Sequence, residues 1–280
     1  MKRLSFQAIK CGHCTQIERL TNRAAPWRCC QFPALVTVIE HPTLGFVVFD
    51  TGYAPAFFEA TQNWPERAHK IITPVRLNDD ENLQSQLIKR GINHEDVGAV
   101  ILSHFHADHL SGIGYFPNAA IYCAKDGLDQ INGLSRFGAL RRGLIKSLLP
   151  VDFENRAQFF TDCPTITLPR ALSPFESGYD LLGDTSLFAI PLPGHACGQY
   201  GLAFLDADDR YVFLIADAAW SIDAVMNFHL PARLTNLMLH HGKSYPKTLW
   251  ALHELSKNTP DTLIIPTHCD TTQKQLVQNV

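Results

Sequence analysis

Long hydrophobic runs, an excess of basic charge and low-complexity linkers are all missing from this chain of 280 residues. Its longest apolar runs, such as Val97–Leu102 and Tyr211–Ala216, are far too short to span a bilayer. The formal net charge of -3 gives no support for a nucleic-acid partner or for binding to a lipid surface. The N-terminus carries positive charge, but no apolar segment follows it, so a secretory signal is not expected.

A disulfide framework is also not expected, although the chain contains eight cysteines. Such frameworks suit short secreted chains, so the cysteines of a long chain without an export signal predict reduced thiols and a cytoplasmic location. Cys11 and Cys14 form a C-x-x-C pair, and with the adjacent Cys29 and Cys30 they raise the alternative of a structural zinc site. The adjacent pair is a poor second half of such a site, which favours free thiols.

The apolar pattern predicts strands and helices in both halves of the chain. Runs of β-branched and apolar residues predict strands at Leu35–Ile39, Gly45–Asp50, Val97–Leu102, Ala120–Cys123, Leu187–Ile190, Gly201–Leu205, Tyr211–Ile215 and Thr262–Ile265. Helical spacing predicts helices at Asn82–Arg90, Ser135–Leu149 and Pro246–Ser256. No linker separates the halves, which indicates a single α/β domain over residues 1–280, with a helical insertion at about residues 127–160.

Three histidines and an aspartate follow the predicted buried strand Val97–Leu102 almost directly. Imidazole and carboxylate are the ligands that divalent transition metals take in proteins. His104 and His106 alternate along an extended chain, so both can point to one side of it. Asp108 and His109 lie past the bend and can reach a neighbouring position. This one loop is therefore expected to serve two adjacent metal ions.

Three further candidate ligands also follow predicted strands. His195 lies in a Pro/Gly turn, Asp217 closes the strand Tyr211–Ile215, and His268 follows the last strand. Rigid scaffolds hold functional side chains at such strand-to-loop positions.

These residues together resemble the metallo-β-lactamase superfamily over nearly the whole chain, from about Val36 to Asp270. The Asp50-Thr51-Gly52 turn is similar to an early motif of that superfamily. The resemblance implies an α/β fold, an αββα sandwich of two mixed β-sheets flanked by helices, with the metals at one edge. It implies a first ion at His104, His106 and His195, a second ion at Asp108, His109 and His268, a bridging Asp217, and a supporting Asp50 behind the ligands.

The resemblance also implies a hydrolytic mechanism. Two divalent transition-metal ions, zinc first with iron, manganese or cobalt as alternatives, would hold a hydroxide between them that attacks a carbonyl ester. Asp108 is the candidate for moving a proton to the leaving group, and Asp217 for holding both ions. His106 stands where flavodiiron oxidoreductases carry glutamate, and Asp217 stands where the clinical β-lactamases carry cysteine. The first feature favours hydrolysis over the reduction of oxygen or nitric oxide, and the second argues against β-lactamase activity.

Within the superfamily, the chain is most similar to the N-acyl homoserine lactone lactonases. The similarity includes the N-terminal segment from Ala8 to Cys14 and the step of 22 residues from His195 to Asp217. The lactonase tyrosine that follows the bridging aspartate is replaced by Trp220. The stretch between the loop histidines and His195 is also longer than in the lactonases.

The expected activity is therefore hydrolysis of a small-molecule ester, and the favoured ester is a lactone. A thioesterase or general esterase is the alternative, and a metal-bearing binding or regulatory protein with vestigial hydrolysis is the alternative of another class. The indole of Trp220 donates only one N–H. The hydrogen bond to the substrate carbonyl is therefore expected from His229 or Tyr245 as alternatives. Phe57 and Phe58 are candidates for an apolar pocket wall. The helix Ser135–Leu149 is interpreted either as a lid or as a solvated helix.

Overall fold

A computed structural model gives the fold and describes residues 2–277. Within that range the strands are β1 (Arg3–Ile17), β2 (Cys29–His41), β3 (Gly45–Phe49), β4 (Val75–Arg76), β5 (Val97–Ile101), β6 (Ala120–Cys123), β7 (Ala157–Phe159), β8 (Thr165–Thr167), β9 (Ser177–Asp180), β10 (Phe188–Pro191), β11 (Tyr200–Asp206), β12 (Tyr211–Ala216) and β13 (Leu263–Pro266). The α-helices of the same range are α1 (Glu18–Thr21), α2 (Pro55–Ala60), α3 (Arg67–Ile72), α4 (Leu83–Lys89), α5 (Ala107–Leu110), α6 (Lys125–Gly133), α7 (Arg136–Leu140), α8 (Phe153–Arg156), α9 (Ile222–Asn227), α10 (Tyr245–Asn258) and α11 (Asp270–Leu276).

The strands form two mixed sheets. The N-terminal sheet has the order β7-β6-β5-β3-β2-β1, with β4 also paired to β1. The C-terminal sheet runs from β8 through β9, β10 and β11 to β12 and β13. The first residues of β1 pair in parallel with β11, at Arg3 with Leu205 and Leu4 with Asp206, and so connect the two sheets.

Side-chain alternation divides each sheet between an inner and an outer core. Val47 and Phe49 of β3 pack into one buried cluster with residues of the C-terminal sheet such as Leu202 and Leu214. Val48, which lies between them in β3, packs into the other cluster. Neighbouring strand residues point to opposite faces, so the first cluster fills the space between the sheets.

Helices cover the outer faces. Leu83 and Leu87 of α4 share a buried cluster with Val48 of the N-terminal sheet. Leu249 and Leu252 of α10 lie fully buried in that cluster as well. The layers are therefore helix, sheet, sheet and helix, and the αββα sandwich expected from the resemblance is confirmed.

Most predicted elements are present with small shifts at their ends. The strand predicted at Ala120–Cys123 matches β6. The helix predicted at Asn82–Arg90 is α4, with Asn82 as its N-cap, whose side chain accepts a hydrogen bond from Ser85 N. β1 was not expected, because its apolar alternation is interrupted by a change of register between Lys10 and His13.

The continuous helix predicted at Ser135–Leu149 is wrong. The structure has the short α7, then a turn, then a 3-10 helix at Lys146–Leu148. Gly143 stops the helix with a φ of 73°, in a region that favours glycine. Phe137, one of the residues that suggested a buried face, is 68% exposed. Across residues 2–277, no helix has both the length and the apolar character to cross a membrane.

Candidate metal centre and substrate cleft

The histidine-rich loop begins just after β5 and turns directly into α5. His104 is fully buried, and His106 has extended backbone immediately before the first residue of α5. Asp108 and His109 lie on α5 itself. The backbone changes from extended to helical after His106. This change lets His104, His106, Asp108 and His109 reach the same edge of the sandwich.

The other three candidate ligands come from the C-terminal sheet. His195 lies in the turn after β10, while Asp217 and His268 follow the parallel neighbours β12 and β13. The carboxyl ends of parallel strands meet at one edge, which brings Asp217 and His268 together. A Cβ on Gly194 would lie 2.5 Å from the Tyr245 Cα, so the close approach of α10 requires glycine before His195.

Three imidazole nitrogens converge at one end of the cluster. His106 Nδ1 lies 3.0 Å from His104 Nε2 and 3.0 Å from His195 Nε2. A ring nitrogen offers either one N–H or one lone pair, so His106 Nδ1 can satisfy only one of these two contacts as a hydrogen bond. A cation shared by the three nitrogens satisfies all of them.

The carboxylate of Asp217 lies between this group and a second one. Its Oδ2 is 3.3 Å from His195 Nε2 and 3.2 Å from His268 Nε2, and its Oδ1 is 3.3 Å from His109 Nε2. Asp108 Oδ2 lies 3.2 Å from His268 Nε2. The sets of ligand atoms that lie within 4.8 Å of one another are His104, His106 and His195; His104, His109 and Asp217; and Asp108, His109 and His268.

Two of these histidines are oriented by main-chain carbonyls. His268 Nδ1 donates a hydrogen bond to the carbonyl of Pro33 at 2.8 Å. His106 Nε2 donates to the carbonyl of Arg142 at 2.9 Å. Each bond fixes the ring and leaves the other nitrogen as a lone-pair donor aimed into the cluster.

Asp50 holds the start of the loop from behind. Its carboxylate accepts hydrogen bonds from Ser103 N at 2.8 Å, Ser103 Oγ at 2.8 Å and His109 Nδ1 at 2.7 Å. Asp50 has a φ of 60°, a left-handed conformation that residues other than glycine rarely adopt. The surrounding fold therefore maintains local backbone strain at this position, where Asp50 positions a ring of the cluster.

The electrostatics favour the ligand forms of His104, His106 and Asp217. Burial, together with the neighbouring His195, lowers the pKa of His106 to about 3. Burial also lowers the pKa of His104. For Asp217, burial opposes the charged form, but the nearby histidines, His268 first, outweigh it and hold the pKa well below its usual range. Neutral imidazole and ionised carboxylate are the forms that bind metal ions.

The residues present fit divalent metal ions. His109 Nε2 and Asp217 Oδ1 are buried and lie 3.3 Å apart, and within the described residues neither atom makes a hydrogen bond of good geometry. Buried polar atoms of this kind need a partner, and lone pairs of nitrogen and oxygen together suit a transition metal. The chain therefore carries a metal-binding cluster of histidine and aspartate side chains.

A cleft of about 310 Å³ opens beside the cluster. Its floor is formed by the candidate ligands His106, Asp108, His195, Asp217 and His268. Its walls include the apolar side chains of Leu20, Phe32, Ile72, Met238 and Leu239. These wall residues lie far apart in the sequence.

Trp220 is among the described residues that line the cleft, and Tyr245 is not. The indole Nε1 donates to Asp217 Oδ2 at 3.2 Å, so the single N–H of Trp220 is already engaged by the cluster. Tyr245 is buried and stacks on Trp220 with ring centroids 5.5 Å apart. Tyr245 therefore packs against the indole and is not among the described residues that line the cleft.

The remaining candidates for the pocket also lie outside the described lining of the cleft. His229 Nδ1 lies 3.1 Å from the Asp223 carboxylate at the surface. Phe57 is fully buried, and Phe58 packs edge-on against it. Phe57 in turn packs against Tyr53 with ring centroids 5.2 Å apart, so it supports the lining from behind.

Tyr53 is a hydroxyl-bearing cleft residue that the sequence interpretation missed. It lines the cleft, is 2% exposed, and comes directly after the Asp50-Thr51-Gly52 turn. Burial, with Asp108 as the next cause, raises the pKa of the Tyr53 hydroxyl well above its usual value. The hydroxyl therefore keeps its proton and can donate a hydrogen bond. Its position next to a recognised motif was the signal that could have revealed it.

The cysteines of the C-x-x-C pair belong to none of the described groups of candidate metal ligands. Cys11 and Cys14 are buried, Cys29 is exposed, and all four cysteines of the alternative zinc site are free. Among the described residues, the side-chain groups close enough to share an ion contain only histidine and aspartate. Cys14 lines the cleft, and burial raises the pKa of its thiol to about 11.

Several known proteins are similar to the chain. The N-acyl homoserine lactonase AttM of Agrobacterium fabrum is 27% identical over 209 residues, covering 74% of this chain and 72% of AttM. The N-acyl homoserine lactonase AiiB of the same organism is 29% identical over 233 residues, covering 78% and 73%. A solved structure of an AiiA variant from Bacillus thuringiensis, with N-decanoyl-L-homoserine at its active site, has a TM-score of 0.74 at 17% identity and covers 98% of this chain and 97% of AiiA.

A family model supplies the assignment. Residues 31–215, more than half of the chain, match the model of the metallo-beta-lactamase superfamily. The matched range includes the loop that follows β5 and the turn that carries His195. The layered fold and the strand-end ligands agree with that match, and the chain belongs to the metallo-beta-lactamase superfamily.

Proposed function

We propose that the protein is a metal-dependent hydrolase of carbonyl esters. Its favoured substrates are the N-acyl homoserine lactones. The observation that carries the proposal is the convergence of seven histidine and aspartate side chains in one cluster, five of which line the floor of one cleft. The names of AttM and AiiB support the lactone as the ester that is cleaved. A thioesterase or general esterase remains the second candidate, because an ester carbonyl would meet the same floor.

The ligand set suits two ions. His104, His106 and His195 would hold one, Asp108, His109 and His268 the other, and Asp217 lies where it would bridge them. Zinc is the first candidate, and iron, manganese and cobalt accept the same ligands. When bound, two such ions activate water as the nucleophile and polarise the substrate carbonyl.

The protein side chains position the reacting groups. Trp220 donates to Asp217 and so holds that carboxylate in one orientation. Asp108 lines the cleft floor and is the carboxylate available to take up a proton and deliver it to the leaving oxygen. The apolar wall at Leu20, Phe32 and Leu239 suits an acyl chain.

Tyr53 would supply the hydrogen bond that Trp220 cannot give. The N–H of Trp220 is engaged by Asp217, whereas Tyr53 belongs to the cleft lining and its hydroxyl stays protonated. A donor in a buried site stabilises the negative charge that develops on a carbonyl oxygen. We therefore assign Tyr53 to the substrate carbonyl.

Metal content tests the ligand assignment. Protein purified without chelators is expected to hold close to two transition-metal ions per chain, because seven ligands with a shared Asp217 make two sites. Elemental analysis measures this ratio, and His268→Ala is the matched variant, expected to retain fewer ions than the unaltered chain. A ratio near zero or one in the unaltered chain would contradict the two-ion assignment.

Substrate comparison tests the function. Metal-loaded protein is expected to give its highest kcat/KM on an N-acyl homoserine lactone, compared with a thioester and an aryl ester of matched acyl chain. The metal-depleted protein is the control and should have little activity on all three. A higher kcat/KM on the thioester or aryl ester would replace the lactone by that class. Binding without turnover of any of them would favour a binding or regulatory protein.

A further inference from the structure

Two arginines line the cleft beside its metal-binding floor. Outside the histidines and the ligand aspartates, the charged side chains of the described lining are those of Arg141 and Arg142. The acidic side chains of the lining, Asp108 and Asp217, are both in contact with His268 of the cluster. The described walls therefore carry two positive charges that no wall carboxylate neutralises.

A ligand histidine fixes the backbone of this arginine pair. The carbonyl of Arg142 accepts the hydrogen bond from His106 Nε2 at 2.9 Å. The next residue, Gly143, has a φ of 73°, and a Cβ there would lie 3.2 Å from the His106 ring. Arg142 is thus held next to the metal-binding floor by a contact that does not involve its own side chain.

The rest of the segment is also anchored. Arg136 forms a two-point ion pair with Glu66 at 2.6 and 2.5 Å. Leu144 and Ile145 are 4% and 1% exposed, so they tie the segment to the core on the other side of the arginines. Arg141, Arg142 and Gly143 of this segment line the cleft.

Neither guanidinium group is paired with a carboxylate that the structure describes, and the groups on which the Arg142 charge acts are Cys197 and His240. In the described part of the chain, neither the Arg141 nor the Arg142 side chain makes a hydrogen bond or an ion pair, and both residues are exposed. Arg136, five residues before Arg141, is fully paired by contrast. A guanidinium binds carboxylates through parallel N–H···O bonds, so an unpaired pair beside a cleft is suited to an anionic ligand.

We infer that Arg141 and Arg142 bind a carboxylate on the acyl part of the substrate. The preferred substrate class is then an ester or lactone with an apolar acyl chain that ends in a negative charge. Leu20 and Ile72 offer the apolar contact, and the arginines offer the charge. The inference rests on the proposed function, because it assigns the substrate of the same cleft.

Two lactones that differ only at the end of the acyl chain test this inference. One N-acyl homoserine lactone ends in a methyl group and the other, of equal length, ends in a carboxylate. The unaltered enzyme is expected to favour the carboxylate form in kcat/KM. The double variant Arg141→Gln, Arg142→Gln is expected to lower that preference about ten- to a hundredfold, since charge-assisted hydrogen bonds are lost. High salt should lower the preference of the unaltered enzyme.

Arg170→Gln is the matched control. Arg170 is exposed and precedes Ala171, whose carbonyl accepts a hydrogen bond from Thr262 at 2.8 Å. Thr262 comes just before β13, at the end of that strand remote from His268. The control should keep the substrate preference. The preference is the ratio of kcat/KM for the carboxylate lactone to kcat/KM for the methyl lactone. A ratio near one in the unaltered enzyme, or an unchanged ratio in the double variant, would overturn the inference.

A binding experiment separates this inference from the proposed function. The two lactones are replaced by lactams, which resist hydrolysis, and the dissociation constants are measured by calorimetry. Tighter binding of the carboxylate lactam by the unaltered protein than by the double variant supports the arginine site, even if neither lactone is turned over. Equal binding by both proteins overturns the arginine site, even if both lactones are substrates.

Discussion

Replacing His106 with alanine is expected to lower kcat/KM by orders of magnitude while the chain stays folded. The loss should exceed the roughly 10- to 100-fold that follows removal of a residue behind a metal ligand. His106 Nδ1 is the atom that lies 3.0 Å from both His104 Nε2 and His195 Nε2, so its removal leaves the first group with two ligands beside Asp217. Elemental analysis should show a parallel loss of metal.

His94→Ala is the matched control for this variant. His94 lies in the 3-10 helix directly before β5, at the opposite end of the strand that leads to His106. It should keep both activity and metal content. Thermal unfolding of the two variants checks that each is folded. Full turnover and full metal content in His106→Ala would remove His106 from the ligand set.

Replacing Tyr53 with phenylalanine is expected to lower kcat/KM by about 10²–10³-fold, the usual effect of losing one hydrogen-bond donor to a developing oxyanion. Phenylalanine keeps the edge-on contact with Phe57, whose ring centroid lies 5.2 Å from that of Tyr53, so the fold should be retained. The effect should fall mainly on kcat, because the hydrogen bond strengthens as charge develops on the oxygen. Steady-state kinetics on the best lactone measures it.

Trp220→Tyr is the companion variant, since it introduces a hydroxyl beside Asp217. In the unaltered background it is expected to raise lactone kcat/KM, and in the Tyr53→Phe background to recover part of the lost activity. An unchanged kcat/KM in Tyr53→Phe would show that its hydroxyl does not contact the carbonyl. A fall in lactone activity in Trp220→Tyr would favour another ester class.

The sequence by itself was sufficient to predict the layered α/β architecture and to identify the seven candidate ligands. The strands β5, β12 and β13 were predictable because they are apolar and β-branched, and the candidate ligands Asp217 and His268 directly follow two of them. The spacing of His104, His106, Asp108 and His109 is local, so it needs no knowledge of distant contacts. Pairs of residues along one short loop are constrained by the chain itself.

The tertiary structure decided the walls of the cleft and the state of each polar group in it. Phe32, Tyr53, Arg141 and Trp220 come from segments far apart in the sequence, and only packing brings them to one cleft. The hydrogen bond from Trp220 to Asp217 and the stacking of the buried Tyr245 on the indole have no local sequence signal. Helical spacing around Arg141 was misleading, because the backbone there follows the turn at Gly143 and the contact with His106. Long-range contacts of this kind override local preference.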